Sequence, residues 1–309
     1  MRFERKVVNL ATLGGVFSDA EVDMVRKRWK CSSEYVAVFA VEKERVLGQV
    51  FVLRMPYTFR DGTQPIGCIS AVGTRPDVGR SGIARVLLED VLRREKEAGT
   101  EYTALWTNRS WGAHALYEKL GYRDVYSPPW VVHEAGDRHA RSRPNLGVRV
   151  GRGSDLDALE ELHRRSAQGR LGFCFRPKGT IRGSVRLGFL DPKKNLLVAR
   201  KDGELVGYAH VDQNRYRTVC GELVGQSLQV VRALCSEIGR RTRKKPIAFQ
   251  HTWVTDHPRL FASPSYAHIP VGWLGMLAQA VGRTWSQRDA IQQFATADPR
   301  FICLAFDRF

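Results

Sequence analysis

The chain of 309 residues has the composition of an ordinary globular protein, with 43% hydrophobic and 26% charged residues. Its length suggests two domains of about 150 residues each, and its hydrophobic content excludes an intrinsically disordered chain. The formal net charge of +17 favours polyanionic partners such as phosphate-bearing cofactors, nucleic acid or acidic membrane surfaces. Most of this excess lies in residues 146–309, which hold 26 Lys and Arg against 14 Asp and Glu.

The cysteines, the amino terminus and one uncharged stretch argue against metal-binding, disulfide-rich, secreted and membrane-spanning proteins. The six cysteines include no CxxC pair and no His/Cys ligand spacing, so we expect neither a metal site nor a disulfide scaffold. The first 15 residues, MRFERKVVNLATLGG, lack the apolar core of a signal peptide, so the expected location is the cytoplasm. Residues 260–282 carry no charged side chain, but Pro264 and Pro270 favour buried strands with turns over a membrane span.

The first half of the chain reads as one α/β unit. A short strand at residues 6–10 and a helix at residues 18–30 are followed by three antiparallel strands within residues 35–74. A helix follows, then a strand at Tyr102–Thr107, a helix through Tyr117 and a closing pair of strands within Arg123–His133. The polar residues 133–145 are typical of a linker.

The stretch Cys68–Arg93 is the most informative, because it reads as an apolar strand, a glycine-bearing turn and an amphipathic helix. The turn residues are Gly79, Arg80, Ser81 and Gly82. They lie where a helix has unpaired N–H groups and a partial positive charge, so the turn is a candidate phosphate-binding loop. The same pattern also fits an ordinary strand-to-helix connection.

The second half repeats this order of elements. Residues 146–168 read as strand, cap and amphipathic helix, and residues 195–212 as a hairpin that turns at Asp202 and Gly203. A strand and helix over residues 220–241 would be followed by strands at 246–253 and 301–309. Only Gly225 stands where the first half has its glycine-bearing turn, so we expect this unit not to hold a cofactor.

Two separated segments, VGTRPDVGRSGIARVLL and ALYEKLGY, together resemble the GNAT superfamily of acetyl-CoA-dependent N-acyltransferases. That family's loop opens with Gln or Arg, whereas this chain has Gly79 at that place and Arg80 after it. The run VGTRPD is most similar to the tandem enhanced-intracellular-survival acetyltransferases. The resemblance implies an α/β (α+β) fold of two GNAT-like units, each a mixed, mostly antiparallel sheet flanked by helices. Residues 1–140 would be the acetyl-CoA-binding domain and residues 146–309 a degenerate second domain.

The resemblance also implies a set of cofactor-binding residues. The pantetheine arm would pair with the backbone of the fourth strand where it parts from the fifth, and the loop would hold the pyrophosphate. The residues at these places are Ser70, Val72, Thr74, Gly79, Arg80, Ser81, Gly82, Ile83 and Ala84. Asn108 resembles the polar residue that touches the pantetheine or caps the next helix, although Ser110 could be that cap.

Tyr117 matches the family's tyrosine, whose phenol can protonate the departing thiolate. A packed aromatic residue is the alternative. His114, one turn earlier, could act as a relay or be an ordinary surface histidine. The sequence identifies no clear general base: Asp61, Glu101 and Glu118 fit solvated positions. The carboxylate of Phe309 is a further candidate by analogy with the enhanced-intracellular-survival enzymes.

These residues predict an N-acetyltransferase that moves an acetyl group from acetyl-CoA to a primary amine on a small molecule or a protein. A second hypothesis is a coenzyme A-binding protein whose basic second domain, with the run RRTRKK at residues 240–245, binds nucleic acid or an acidic partner. The sequence leaves the acceptor, the acyl length and the oligomeric state open.

Overall fold

The fold is taken from a computed structural model of the chain. It describes residues 2–4, 35–43, 45–127, 130–133, 146–186, 190–213, 218–242, 246–250, 258–262, 266–269 and 275–303. The predicted strand at residues 6–10, the predicted helix at 18–30 and the carboxylate of Phe309 lie outside the described residues.

The described residues form sixteen strands and seven helices. The strands are β1 Arg2–Glu4, β2 Tyr35–Glu42, β3 Arg45–Phe59, β4 Gly62–Thr74, β5 Tyr102–Thr107, β6 Arg123–Tyr126, β7 Trp130–His133, β8 Leu146–Val150, β9 Leu171–Phe173, β10 Leu196–Lys201, β11 Glu204–Gln213, β12 Thr218–Gly225, β13 Ile247–Gln250, β14 Tyr266–Ile269, β15 Gly275–Ala280 and β16 Phe301–Cys303. The helices are α1 Ile83–Glu97, α2 Gly112–Lys119, α3 Leu156–Ser166, α4 Thr180–Arg186, α5 Leu228–Arg241, α6 Pro258–Phe261 and α7 Gln287–Phe294.

The chain divides into two compact units. The first comprises Met1–Ser127, Trp273–Ala297 and Phe309, and the second comprises Pro128–Gly272 and Asp298–Arg308. This division differs from the expected domains at residues 1–140 and 146–309, because each unit takes a short segment from the other half of the sequence. Each unit nevertheless has a mixed sheet flanked by helices, which is the predicted fold class.

The sheet of the first unit has the strand order β1-β2-β3-β4-β5-β15-β6. Only β4 and β5 run parallel in this series, and the other neighbours are antiparallel. Helix α1 packs on one face, where apolar residues of β3 and α1 share a hydrophobic cluster that includes Val50, Val52, Leu87 and Val91. Helix α7 supplies Phe294 to an aromatic cluster with Tyr57, Phe59 and Tyr102.

The sheet of the second unit has the order β8-β10-β11-β12-β13-β7-β14, in which only β12 and β13 run parallel. The two hairpins that begin the sheets have matching irregularities. Ala40 pairs with Gly48 and Ala199 with Gly207, and each register shifts at the next residue. A Cβ at Gly48 would lie 3.1 Å from Leu87, and one at Gly207 would lie 3.2 Å from Leu234, so both glycines admit a helix onto the sheet.

In each of these two strand series, one strand comes from the other half of the sequence. Strand β15 lies between β5 and β6, and β7 lies between β13 and β14. Both strands predicted within Arg123–His133 are present, but they do not complete one unit: β6 belongs to the first unit and β7 to the second. Strand β15, which is buried over its whole length, agrees with the buried strands expected within residues 260–282. In the part of the chain that the structure describes, no helix combines the length and apolar character needed to cross a bilayer.

Candidate functional site

The loop between β4 and α1 has the backbone geometry of an open helix start. A short 3-10 turn at Pro76–Val78 leads to Arg80, at φ +63°, and Gly82, at φ +84°. The first helical bond runs from the Val86 N–H to the Gly82 carbonyl at 3.1 Å, so the preceding N–H groups have no acceptor within the helix. No side chain caps α1. The predicted residues Gly79–Gly82 are all exposed, which leaves these groups accessible.

The loop is tied to the sheet at its beginning. The Arg75 N–H donates to the Leu47 carbonyl at 2.9 Å, and the Asp77 carboxylate pairs with Arg75 at 3.1 Å and with Arg45. Desolvation acts to raise the pKa of Asp77, but hydrogen bonds from the two guanidinium groups outweigh it, so this pKa is lowered. The ion pair from Arg45 at the start of β3 and the hydrogen bond from Arg75 to Leu47 fix the turn relative to β3.

Strands β4 and β5 part beside this loop. Their pairing covers Gly67–Ile69 and Thr103–Leu105, and β4 then continues to Thr74 while Thr107 of β5 pairs with Gly275 of β15. On the other side of β4 the register shifts between Gln49 and Phe51 of β3, opposite Ala71, whose φ is +48°. Such a bulge bends a strand away from its neighbour. The predicted residues Ser70, Val72 and Thr74 lie half-buried in this diverging part of β4.

Tyr117 lies on α2 in the hydrophobic cluster that also contains Ile69, Leu105 and Ile83. Its side chain is buried, and its ring meets that of Tyr122 edge to face with 5.9 Å between the centroids. The Tyr117 hydroxyl has no hydrogen-bond partner among the described residues. Burial raises the pKa of Tyr117 to about 12, so the phenol stays protonated at neutral pH.

Asn108 follows β5 directly, and its side-chain oxygen accepts from the Ser110 N–H at 2.9 Å and from the Ser110 hydroxyl at 2.8 Å. Helix α2 begins after Trp111, which gives no side-chain cap. The suggestion that Ser110 caps this helix is therefore wrong, since Ser110 instead fixes the turn with Asn108. The indole of Trp111 is 60% exposed.

The other candidates for acid-base catalysis, which are one histidine and three carboxylates, are less favourably placed for proton transfer than Tyr117. The His114 ring lies 3.1 Å from Asp124 and 3.5 Å from Glu118, so its polar contacts in the described residues are to these carboxylates. The Glu118 side chain is 56% exposed, and Asp61 and Glu101 are exposed as well. None of these three carboxylates lies buried beside Tyr117 or the diverging strands, where a general base would be needed.

Sequence reasoning passed over Gln49, a glutamine in the apolar strand RVLGQVFVL. It is fully buried beside the bulge of β4, where its Nε2 donates to the Ala71 carbonyl at 3.5 Å. The signal in the sequence was a single polar residue within a run that is otherwise almost entirely apolar.

The matching place in the second unit has different features. The pairing of β12 with β13 also ends early, at Cys220 and Phe249, but the Ser227 side chain caps α5 by accepting from the Val230 N–H at 3.4 Å. One of the free N–H groups at this helix start is thus already bonded within the protein. That this unit holds no cofactor stays a prediction.

Four buried polar side chains of the second unit form one connected network. Glu222 of β12 pairs with Arg176 and accepts from the Tyr208 hydroxyl at 3.0 Å, and Tyr208 lies 3.1 Å from the His163 ring. In the basic run, Arg240 and Arg241 both pair with Glu237, at 2.7 and 2.6 Å, and residues 243–245 lie outside the described residues. Binding of nucleic acid by this run stays a prediction.

The comparisons with known proteins agree with this geometry. The family model described as FR47-like protein matches residues 62–131, which include the loop, the diverging strands and α2. No curated protein matches the chain significantly in sequence.

Solved structures match nearly the whole chain. A probable N-acyltransferase of unknown function from Enterococcus faecalis has a TM-score of 0.69 at 13% identity, over 91% of this chain and 72% of that one. Eis1 from Mycobacterium abscessus has a TM-score of 0.59 at 14% identity, over 91% and 74%. A tandem GNAT protein from the clavulanic acid biosynthesis pathway has a TM-score of 0.58 at 13% identity, over 92% and 99%. The first unit therefore contains a segment similar to the FR47-like family, and the chain has the fold of solved GNAT structures, including one with two such units.

Proposed function

We propose that the first unit binds acetyl-CoA and catalyses transfer of the acetyl group to a primary amine. The observation that carries the proposal is the coincidence of three features in one unit: an uncapped helix start, a pair of strands that part beside it, and a buried tyrosine in the same cluster. The second unit shares the parted strands but has a serine cap at its helix start.

The loop residues fit a pyrophosphate. A Cβ added at Gly82 would meet no atom within 4 Å, so the space in front of the helix start is open. The N–H groups of Gly82, Ile83 and Ala84 would donate to phosphate oxygens, as expected at the positive end of a helix. Arg80, which is exposed beside them, would add a positive charge, and the Ser81 hydroxyl, which donates to the Val78 carbonyl at 2.6 Å, would donate to the phosphate after rotating away from Val78. The backbone of β4 from Ser70 to Thr74, which is paired with β3 but no longer with β5, would hold the pantetheine arm along its β5 side.

When bound, acetyl-CoA supplies an activated acyl group and a thiolate leaving group. The role of the chain is to orient the thioester beside the bulge of β4 and to provide a proton for the thiolate. Tyr117 is suited to give that proton because its raised pKa keeps it neutral and its hydroxyl has no competing partner among the described residues. The amine loses one proton to solvent as its bond to the acetyl carbon forms, and the phenol regains its proton from solvent afterwards.

A pair of glycine variants tests the loop assignment. Gly82→Glu puts a negative side chain in the open space, so we expect acetyl-CoA affinity measured by calorimetry to fall at least 100-fold. Gly203→Glu is the matched control, because Gly203 has nearly the same φ, +86° against +84°, and the same open surroundings in the hairpin of the second unit. Equal acetyl-CoA affinity in the two variants would contradict the assignment.

A further inference from the structure

Gln49 carries a buried oxygen without a hydrogen-bond donor. Its side chain is 0% exposed, and Oε1 has no partner among the described residues, whereas Nε2 is bonded to the Ala71 carbonyl. A buried polar atom left without a partner costs about 1–3 kcal/mol. Native proteins rarely retain such a group unless it has a functional role, such as binding a ligand.

The location of Gln49 in the first sheet indicates what this role is. Side chains alternate along β3, and Gly48 faces Ile83 and Leu87 of α1, so Gln49 lies on the opposite face. It is paired with Gly73 at the irregular part of β4, just beyond the point where β4 leaves β5. The free oxygen therefore lies in the sheet layer next to the bulge, on the face away from the phosphate-binding helix.

The second unit offers an internal comparison. Because Gly48 and Gly207 are equivalent by register, Tyr208 is the counterpart of Gln49. The Tyr208 hydroxyl donates to Glu222 at 3.0 Å, so this polar group is satisfied within the protein. The polar side chain beside the parted strands thus lacks a partner in the unit with the open loop and has one in the unit with the capped helix.

We propose that Gln49 Oε1 accepts a hydrogen bond from the acceptor amine and so orients it toward the thioester. This inference rests on the acyl transfer proposed above. The missing partner must be a donor, and the thioester group itself has no N–H or O–H. The amide groups of the pantetheine arm are assigned to the backbone of β4. The attacking amine is the remaining ligand group at the reacting centre that carries N–H bonds.

Two glutamine variants separate a ligand-binding role from a structural one. Gln49→Met removes the unpaired oxygen, so we expect an unchanged or higher melting temperature, an unchanged Kd for coenzyme A and a KM for the amine raised about tenfold. Gln279→Met is the matched control: Gln279 is also buried in the first unit, but its oxygen is near Thr103 at 3.4 Å and its nitrogen donates to Leu120. Its loss should lower the melting temperature by about 2–4 °C or more.

The amine probes are tryptamine, spermidine and glucosamine, with thiol release as the readout and the amine of highest wild-type turnover used for KM. A melting temperature of Gln49→Met that falls as far as that of Gln279→Met would overturn the proposal, as would an unchanged KM for the amine. Absence of turnover by the wild-type chain would count against the acyl transfer itself. The melting temperatures of the two variants and their Kd for coenzyme A can be measured without turnover. They still show whether the Gln49 oxygen stabilises the folded protein.

Discussion

Tyr117 and Tyr122 are buried neighbours whose hydroxyl groups have different surroundings. The Tyr122 hydroxyl is 3.0 Å from the Thr103 hydroxyl, while that of Tyr117 has no hydrogen-bond partner in the described part of the chain. Burial raises the pKa of both phenols, so both are neutral near pH 7. The two buried phenols therefore differ in availability, because the Tyr122 hydroxyl accepts a hydrogen bond from the Thr103 hydroxyl, whereas the Tyr117 hydroxyl has no partner among the described residues.

Replacing each tyrosine by phenylalanine tests this difference. We expect Tyr117→Phe to lower kcat about 100-fold, within the usual contribution of general acid catalysis, with little change in the KM for acetyl-CoA. The ratio of wild-type to variant kcat should stay constant from pH 6 to 9, because a phenol with a pKa of about 12 does not titrate in that range. Tyr122→Phe should instead lower the free energy of unfolding and leave kcat near its wild-type value. Full turnover by Tyr117→Phe would remove the acid role.

At the scale of residues, the sequence predicts those parts of the site whose residues are adjacent in the chain. The turn Gly79–Gly82 was recognisable because its glycines and its helix are adjacent in the chain. Gln49 was not, because its meaning depends on Ala71 of the next strand and on where β4 leaves β5. The role of Asn108 was also hard to read, since its side chain turns back onto Ser110 rather than onto the helix.

At the scale of elements, one imidazole ties α3 to the sheet of the second unit. His163 lies 3.1 Å from the Tyr208 hydroxyl on β11 and 3.2 Å from the Cys174 carbonyl after β9. Desolvation, aided by the positive charge of Arg176, lowers the pKa of His163 to about 4. The imidazole is therefore neutral in the folded protein across the range in which an unfolded histidine, with a pKa near 6.5, would take up a proton.

This shift predicts a loss of stability in weak acid. The unfolded chain binds the proton first, so the free energy of unfolding should fall as the pH drops from about 6.5 to 4, by on the order of 2–3 kcal/mol. Urea denaturation at several pH values measures it. His163→Gln, which is neutral throughout, should have a shallower slope over this range. His210 also has a lowered pKa and will contribute part of what remains. Identical slopes for the two proteins would refute the prediction.

The element order was largely legible because the second half repeats the first. Periodicity indicated the helices, and the hairpin at Asp202 and Gly203 appears where it was expected, with φ values of +49° and +86°. The sequence did not predict which strands pair with one another. The segments β7 and β15 have the same apolar character as any buried strand, and nothing in their residues specifies which sheet they join.

At the scale of the molecule, β15 from the second half of the sequence joins the first sheet, and β7 from the first half joins the second sheet. This exchange of strands determines which fragments of the chain can fold alone. Each sheet has its own strands on both sides of a strand from the other half of the sequence. Strand β15 pairs over all six residues with β5, from Gly275–Thr107 to Ala280–Tyr102, and it also pairs with β6. A fragment that ends before β15 would leave the facing edges of β5 and β6 without partners, and unpaired strand edges are a common cause of aggregation.

We therefore expect residues 1–140 expressed alone to aggregate or to unfold without cooperativity, and residues 146–309 alone to do the same, because each fragment carries a strand that the other sheet needs. Expressed together, the fragments should form a soluble 1:1 complex that binds acetyl-CoA, since β7 and β15 can then occupy their places. Size-exclusion chromatography and thermal melting measure both outcomes. A monodisperse 1–140 fragment that melts cooperatively would contradict this prediction, because the first unit would then form its sheet without β15.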